Sequence, residues 1–204
     1  FASTMGASIN DLMGKVGYFE ATNKYSYVGA TPLTDSIFAI KYLLATDQVE
    51  KIRTFDYVTT SGSQSLYENP YALSLGFMVD DAYADWDYNR SLPPYVLNDF
   101  VQKTTGTQDL LFQDTSFSGL VGEGCDLSDL GNGQFSYTKE NSGDEASLKL
   151  TMDITDGQTR YIYYRAGNCD SLKVSRNDSV KTYSDTRGHL VELGNEGHIE
   201  LEFV

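Results

Sequence analysis

The second half of the chain is a succession of short segments in which apolar and polar residues often alternate. Gly, Asn and Asp separate these segments at intervals of roughly ten residues, which is typical of the turns in an antiparallel sandwich or barrel. The segments are "QFSYTKE", "ASLKLTMDI", "RYIYYRA", "SLKVSRN", "SVKTYS", "HLVELG" and "HIELEFV". We therefore expect residues 116–204 to form an antiparallel, jelly-roll-like β-sandwich.

The segment "ASLKLTMDI" carries the clearest alternation. Its apolar residues fall on one face of the predicted strand and its polar residues on the other, namely Leu148, Leu150, Met152 and Ile154 against Lys149, Thr151 and Asp153. Because successive side chains of a strand point to opposite faces, the first set is expected to face a core.

The first half mixes helical and extended patterns, which predicts a mixed α/β part over residues 1–115 and an α+β class for the whole chain. The clearest helix lies in "SLPPYVLNDFVQKTTG", where apolar pairs repeat at helical spacing. Ser91 and Pro94 mark its start and Gly106 its end. The two parts are expected to meet in the Gly/Ser-rich residues 113–124.

Two shorter helices are predicted from their capping residues. Ser8 precedes an apolar-periodic segment over residues 9–16, and Thr34 precedes a segment that begins at Asp35. Short polar side chains at the N-cap accept hydrogen bonds from the first free N–H groups, and an acid in the first turn is favourable.

Three stretches of the first half read as strands. Residues 42–44 form an apolar run that predicts a buried strand, and residues 52–58 carry a weaker strand pattern. Residues 73–79, with Gly76 among them, form an uncharged apolar run that predicts a strand covered on both faces.

The dipeptide Asn69-Pro70 stands between a strand start at Ser65 to Tyr67 and the apolar run 73–79, in "SLYENPYALSLGFMVDD". Pro70 has no N–H for a β-ladder and pushes Asn69 towards extended geometry, so a bend is expected here. Tyr67 and Tyr71 flank the bend and are predicted to pack against it.

The net charge of −14 excludes a nucleic-acid-binding role, because such a role needs a cationic footprint. No apolar run is long enough to span a membrane, and the first residues do not form an intact signal peptide. The chain lacks an initiator Met and stops within "HIELEFV", so we expect it to be a piece of a larger protein.

The two cysteines, Cys125 and Cys169, have neither CxxC spacing nor a nearby pair of histidines, which argues against a zinc site. A sandwich can bring them together as one disulfide in an extracytoplasmic protein. Two unlinked thiols are the alternative, and the sequence leaves both open.

Three ordered stretches resemble the extracytoplasmic region of the YfhO family of bacterial multi-spanning membrane proteins. They are "NKYSYVGATPLTDSIFAIKYLLA", "SLYENPYALSLGFMV" and "VLNDFVQKTTG", within about the first 110 residues. The chain departs from the family at Ser74, where a proline is more usual.

The resemblance implies a membrane glycosyltransferase that uses a lipid-phosphate-linked sugar outside the cell, with some members linked to glycosylating lipoteichoic acid. The catalytic carboxylate of such enzymes is expected near the first membrane helices, outside this chain. The chain is therefore expected to be non-catalytic on its own, at the extracytoplasmic face, with the membrane-embedded remainder of the same protein as its partner.

The loop "DDAYADWDYNRSLPPY" is the richest in chemistry, because it holds the only tryptophan. Aromatic faces beside carboxylate and amide groups are suited to binding sugars, which predicts a contact with an envelope glycan or a lipid-linked sugar. The candidate residues are Trp86, Tyr83, Tyr88, Asp85, Asp87 and Asn89. The alternative is a structural loop whose rings pack at the interface of the two halves.

The sequence gives little support for a calcium site or for nucleophilic catalysis. The spacing from Asp85 to Ser91 resembles half of a calcium loop, but Arg90 stands where that loop needs Gly and Val96 where it needs Glu. His189 and His198 form no nucleophile–base motif and are expected on strand surfaces. We expect no cofactor, no metal and no catalytic residue. The alternative to a glycosyltransferase region is that the chain is a stand-alone carbohydrate- or protein-binding β-sandwich module of a secreted protein.

Overall fold

The computed structural model describes residues 6–22, 24–46, 54–90, 92–115, 117, 119–131, 133–141, 143–165, 169–177, 179–184 and 187–204. The helix start predicted at Ser91 and the first residues of the weak strand pattern, 52–53, lie outside the described residues. The helices are α1 (Ala7–Lys15), α2 (Pro32–Ile37), a short 3₁₀ helix (Asp81–Asp85) and α3 (Pro93–Thr105).

Helix α3 follows its sequence signals closely. Proline occupies its first turn, where the missing N–H costs nothing, and Gly106 ends it with a left-handed φ of 71°. Its N-cap is Leu92, which makes no side-chain capping hydrogen bond.

The caps predicted for the two shorter helices are wrong, although both helices form. Helix α1 begins before Ser8, with Gly6 as its N-cap and no side-chain cap. In α2 the cap is Thr31, because Thr34 occupies the third helical position and forms a reciprocal capping box with it. The Thr34 amide donates to the Thr31 hydroxyl over 3.2 Å, and the Thr31 amide donates to the Thr34 hydroxyl over 2.8 Å.

The second half consists of antiparallel strands, as its alternating pattern predicted. They are β6 (Leu120–Glu123), β7 (Cys125–Gly131), β8 (Gln134–Lys139), β9 (Ser147–Ile154), β10 (Arg160–Tyr164), β11 (Leu172–Arg176), β12 (Ser179–Tyr183), β13 (His189–Gly194) and β14 (Gly197–Phe203). Five of them form one sheet in the order β12-β11-β14-β9-β6, and β7–β8 and β10–β13 form two separate pairs. The α+β class with a sheet-rich second part is confirmed.

One face of the five-stranded sheet forms the larger core, with the two strand pairs packed against it. We call this cluster the sheet core; its buried members are Cys125, Leu148, Leu150, Ile154, Tyr164, Cys169, Leu172, Val174, Val191, Leu193, Ile199, Leu201 and Phe203. The two faces predicted for β9 are confirmed, because its apolar residues lie on this side and Lys149, Thr151 and Asp153 are exposed.

A second cluster joins the helices to the strands. We call it the helix core; its buried members are Met13, Val16, Tyr18, Val96, Leu97 and Leu190. Leu190 comes from β13, whose next residue, Val191, belongs to the sheet core. The β10–β13 pair therefore lies between the five-stranded sheet and the helices, and the first and second parts of the chain share a core.

The position of β13 explains why the surface placement predicted for His189 is wrong. Both faces of this strand are covered, so His189 is fully buried and its ring packs against Tyr164 at 4.9 Å between centroids. Its Nδ1 lies 2.9 Å from the Arg187 carbonyl oxygen. His198 lies on the exposed face of β14 as expected, with Nδ1 2.7 Å from an Asp153 oxygen.

The described part of the first half contributes two small sheets. One is the pair β1 (Glu20–Ala21) and β2 (Lys24–Tyr25), and the other joins β3 (Tyr42–Ala45), β5 (Gln64–Glu68) and β4 (Asp56–Ser61) in that order. The strand predicted over residues 42–44 exists, but the prediction that it is buried is wrong. Tyr42 and Leu44 are more than half exposed, and every residue of β4 is exposed, because this thin sheet lacks a covering layer among the described residues.

The bend predicted at Asn69-Pro70 is present directly after β5. Asn69 is buried and its side chain holds the turn from inside: Nδ2 donates to the Ile40 carbonyl over 3.1 Å, and Oδ1 accepts from the Tyr71 amide over 3.0 Å. Tyr67 packs edge-on against Tyr57, with 5.9 Å between ring centroids. The packing predicted for Tyr71 is wrong, because its ring points outward and is 65% exposed.

Asn69→Ala is expected to destabilise the chain by about 2 kcal/mol, because it removes two part-buried hydrogen bonds, one to the Ile40 carbonyl and one from the Tyr71 amide. Pro70→Ala and Tyr71→Ala should each stay within about 0.5 kcal/mol of wild type, since both side chains are exposed. Urea unfolding of the three variants measures the difference. Equal losses at the three positions would show that the Asn69 side chain does not hold the turn.

Candidate functional site

The loop that holds the only tryptophan runs from the 3₁₀ helix to the start of α3, and we call residues 81–90 the aromatic loop. Asp80 begins the 3₁₀ helix by accepting a hydrogen bond from the Ala82 amide over 2.9 Å. Trp86 ends it and turns the chain towards α3. The short helix therefore leads the chain into the rest of the loop ahead of α3.

Trp86 is half-buried and anchors the loop to α3. Its indole N–H donates to the Val96 carbonyl oxygen over 3.1 Å, and its ring meets Phe100 edge-on at 5.1 Å. Tyr83 stacks on it at 5.8 Å with an interplanar angle of 25°. Because Tyr83 already covers its ring, Trp86 acts as the support of the loop, and the rings that face solvent are those of its neighbours.

Tyr83 and Tyr88 present the solvent-facing rings, at 41% and 43% exposure. The side chains of Asp85, Asp87 and Asn89 are exposed beside them. One Asp87 oxygen accepts from the Asn89 amide over 3.0 Å, which fixes the turn between them. The candidate residues thus share one loop that offers aromatic faces, carboxylate acceptors and an amide.

The buried residue Asp99 of α3 holds this loop and was missed from the sequence. One carboxylate oxygen accepts from the Asp87 amide over 2.9 Å, and the other lies 2.7 Å from Nη2 of Arg90. A polar pair, Asn98-Asp99, inside an otherwise apolar helical face was the signal that could have revealed it.

Its neighbour Asn98 holds the segment that follows the helix in the chain. The Asn98 side chain donates to the Phe112 carbonyl and accepts from the Phe112 amide, both over 2.7 Å. This pair of hydrogen bonds replaces the backbone pairing that a neighbouring strand would give. Asn98 and Asp99 together attach both segments that flank α3 to the helix.

A second buried carboxylate, Asp35 in α2, has Tyr27 as its hydrogen-bond partner. The Tyr27 hydroxyl lies 2.9 Å from each Asp35 oxygen. Burial raises the pKa of Asp35 to about 6, and the hydrogen bond from Tyr27 opposes part of that rise. Burial and the adjacent Asp35 charge raise the pKa of the Tyr27 hydroxyl.

The raised Asp35 pKa predicts a stability that falls as pH increases. The folded chain binds the proton more tightly than the unfolded chain, whose ordinary value is 3.8, so the free energy of unfolding decreases between about pH 4 and 6 and stays lower above that window. Asp35→Asn mimics the protonated state and is expected to stabilise the chain by about 2 kcal/mol more at pH 7.5 than at pH 4, because the rise of the pKa from 3.8 to about 6 corresponds to about 3 kcal/mol and solvent screening reduces that effect. Urea unfolding of both proteins at the two pH values tests this, and an equal difference at both values would contradict it.

The two cysteines lie close to one another in space, since both line one small pocket beside Tyr137 and Phe203. Both thiols are free and buried. The Cys169 thiol lies 3.0 Å from the Val204 carbonyl oxygen and 3.1 Å from that of Ser171. Burial raises the pKa of both thiols, so neither is activated as a nucleophile.

The uncharged run predicted as a doubly covered strand forms no strand, and that prediction is wrong. We call residues 71–79 the apolar loop. Leu75 and Met78 are 99% and 98% exposed, and the other large apolar side chains in the loop are also exposed, namely Tyr71, Leu73, Phe77 and Val79. Apolar composition alone suggested burial, but the segment crosses the outside of the first half, where nothing in the described part of the chain covers it.

The described residues contain no helix that is both long and apolar enough to cross a membrane. Over residues 1–199 the chain matches the family described as bacterial membrane protein YfhO. No curated protein and no solved structure matches the chain.

Proposed function

The chain belongs to the YfhO family of bacterial membrane proteins, and from this premise we propose that it is the extracytoplasmic region of a multi-spanning membrane glycosyltransferase. The enzyme adds sugars to cell-envelope polymers such as lipoteichoic acid. Its catalytic groups belong to the membrane-embedded remainder of the protein, which uses a lipid-linked sugar. This region supports that part and positions the acceptor glycan.

The observation that carries the proposal is the aromatic loop. Tyr83 and Tyr88 are exposed beside the carboxylates of Asp85 and Asp87, while the Trp86 anchor and Asp99 fix the loop. A sugar ring stacks on an aromatic face and donates hydroxyl hydrogen bonds to carboxylates. Hydrogen bonds to ionised groups are roughly twice as strong as neutral ones, which suits a solvent-exposed site.

The net charge of −14 determines how an anionic acceptor is recognised. A polymer rich in phosphate is repelled by the chain as a whole, so its sugar substituents and not its phosphates make the contact. Added salt screens this repulsion and is therefore expected to strengthen binding of an anionic polymer. Binding of a neutral glycan to the same loop should change little with salt.

Calorimetric titration of the chain with neutral and anionic envelope glycans tests the contact. We expect weak binding that Tyr83→Ala and Tyr88→Ala each reduce at least about tenfold, the scale of losing one stacked ring. Tyr42→Ala, which removes a ring on β3 that is somewhat more exposed than those of Tyr83 and Tyr88, is the matched control and should bind as wild type does. Binding that persists in the Tyr83→Ala, Tyr88→Ala double variant would contradict a site on the aromatic loop.

Because the proposal assigns the catalytic groups to the membrane-embedded remainder of the protein, we expect the chain alone to transfer no sugar. Incubation with a lipid-linked sugar and an acceptor polymer should give no product above the protein-free background. Turnover that is lost when a carboxylate of the chain is replaced would place catalysis here and overturn the proposal.

A further inference from the structure

We propose that the apolar loop, residues 71–79, is a membrane contact that rests in the interface of a lipid bilayer. The loop holds nine residues without a charge in a chain of which 22% is charged. Within the loop, Leu75 and Met78 are exposed almost completely. Apolar side chains presented together in this way mark an interaction surface. The inference rests on the membrane family and does not depend on the proposed glycan contact.

The backbone of the loop is held by hydrogen bonds at both ends, so its exposed apolar side chains have fixed positions at the surface. At its start the Leu73 amide donates to the Ser36 carbonyl at the end of α2 over 3.0 Å. Just after it, the Asp80 amide donates to the Thr104 carbonyl at the end of α3 over 3.2 Å. Between these anchors, the Ser74 hydroxyl donates to the Gly76 carbonyl.

The near-complete exposure of Leu75 and Met78 favours a bilayer over a protein partner. A protein partner would need a matching groove to bury both side chains. A lipid interface accepts apolar side chains without a complementary shape. Tyr71 and Phe77 add aromatic rings, and rings of this kind are enriched at the level of lipid headgroups.

Backbone geometry and charge limit the depth and the lipid preference of this contact. Irregular backbone cannot enter the hydrocarbon core, so the loop reaches only the boundary of headgroups and acyl chains, about 5–10 Å deep. The loop carries no Lys or Arg, and Asp80 and Asp81 follow it directly. The contact is therefore driven by apolar partition and favours zwitterionic over anionic lipid.

Flotation of the 204-residue chain with vesicles tests the proposal. One set is pure phosphatidylcholine, and the other is a mixture with phosphatidylglycerol. We expect the chain to float with phosphatidylcholine vesicles at millimolar lipid and to bind the anionic mixture more weakly. The Leu75→Asp, Met78→Asp double variant should partition at least about tenfold less, because burial of one large apolar side chain accounts for an effect of that size.

The matched control is the Leu130→Asp, Val180→Asp double variant, which makes the same charge change at two exposed apolar positions elsewhere, on β7 and β12. It should float as wild type does. Fluorescence adds a local readout: Met78→Trp should gain a blue-shifted emission on phosphatidylcholine vesicles, and Leu130→Trp should not. Circular dichroism confirms that every variant is folded.

Four results would each overturn the membrane contact. They are no flotation of wild type with either vesicle, flotation that the loop variant retains, flotation that requires phosphatidylglycerol, and a dimer in light scattering that the loop variant abolishes. The last result would assign the loop to a second copy of the chain instead.

Discussion

Alanine in place of Gly29 is expected to leave little folded protein. Gly29 has a φ of +93°, a conformation that L side chains rarely adopt. A Cβ at this position would lie 2.0 Å from the Gly17 carbonyl oxygen and 3.1 Å from the Tyr18 Cα. These are backbone atoms, and they cannot swing away as a flexible side chain would. The loss is expected to exceed about 3 kcal/mol, because overpacking and backbone strain add together.

Gly62 in the β4–β5 turn provides the matched control. It also has a positive φ, +60°, but a Cβ there would meet nothing within 4 Å. Gly62→Ala therefore carries only the left-handed penalty of about 1 kcal/mol. Thermal unfolding monitored by circular dichroism compares the two variants. Equal stability of the two proteins would contradict the close approach of residue 29 to the Gly17 carbonyl.

Leu190→Ala is expected to destabilise the whole chain by about 2–5 kcal/mol, the usual range for emptying a buried leucine site. Leu190 is buried in the helix core, and its amide donates to the Gly17 carbonyl over 2.9 Å. It therefore joins β13 of the second half to α1 and α3 of the first half. Val180→Ala, at an exposed position of β12, should change stability by less than about 0.5 kcal/mol.

The same variant tests whether the two halves fold as one unit. Trp86 fluorescence reports the first half, since Trp86 packs on α3, and far-ultraviolet circular dichroism mainly reports the strands of the second half. Because the halves share the helix core, both signals should change in one transition, and Leu190→Ala should shift both midpoints equally. A shift of only one signal would show that the division at residue 115 separates two independent domains.

The strands of the second half were predictable because alternation reports both the element and its buried face. Each of the seven alternating segments is a strand, from β8 to β14. Strands β6 and β7 were missed, since the Gly- and Ser-rich sequence before and within them reads as a linker. His189 was misplaced for a related reason: alternation describes a strand with one covered face, and β13 is covered on both.

Burial in the first half was harder to predict than secondary structure. Residues 42–44 and 73–79 are apolar, yet both runs are largely exposed, because apolar composition does not reveal what will cover a segment. Conversely, the buried polar residues Asn69 and Asp99 stabilise turns and loops through hydrogen bonds to distant backbone. Such long-range partners leave no periodic signal in the sequence.

The candidate site was predictable as a loop but not in its detail. Its composition singled out the residues around Trp86, and the structure places them on one loop. The sequence could not tell which ring is an anchor and which faces solvent, because that depends on the hydrogen bond to Val96 and the stacking of Tyr83.

The sugar content of envelope polymers in cells tests the central claim most directly. The gene that encodes the protein is deleted from its bacterium. The protein is then restored in one of three forms, each at equal membrane levels: wild type, the Tyr83→Ala, Tyr88→Ala double variant, or the Tyr42→Ala control. Nuclear magnetic resonance of purified lipoteichoic acid measures its glycosyl substituents. We predict that deletion abolishes the substituents, that wild type and the control restore them, and that the aromatic-loop variant restores far fewer. Unchanged glycosylation of the envelope polymers after deletion would contradict the claim that this region serves a glycosyltransferase.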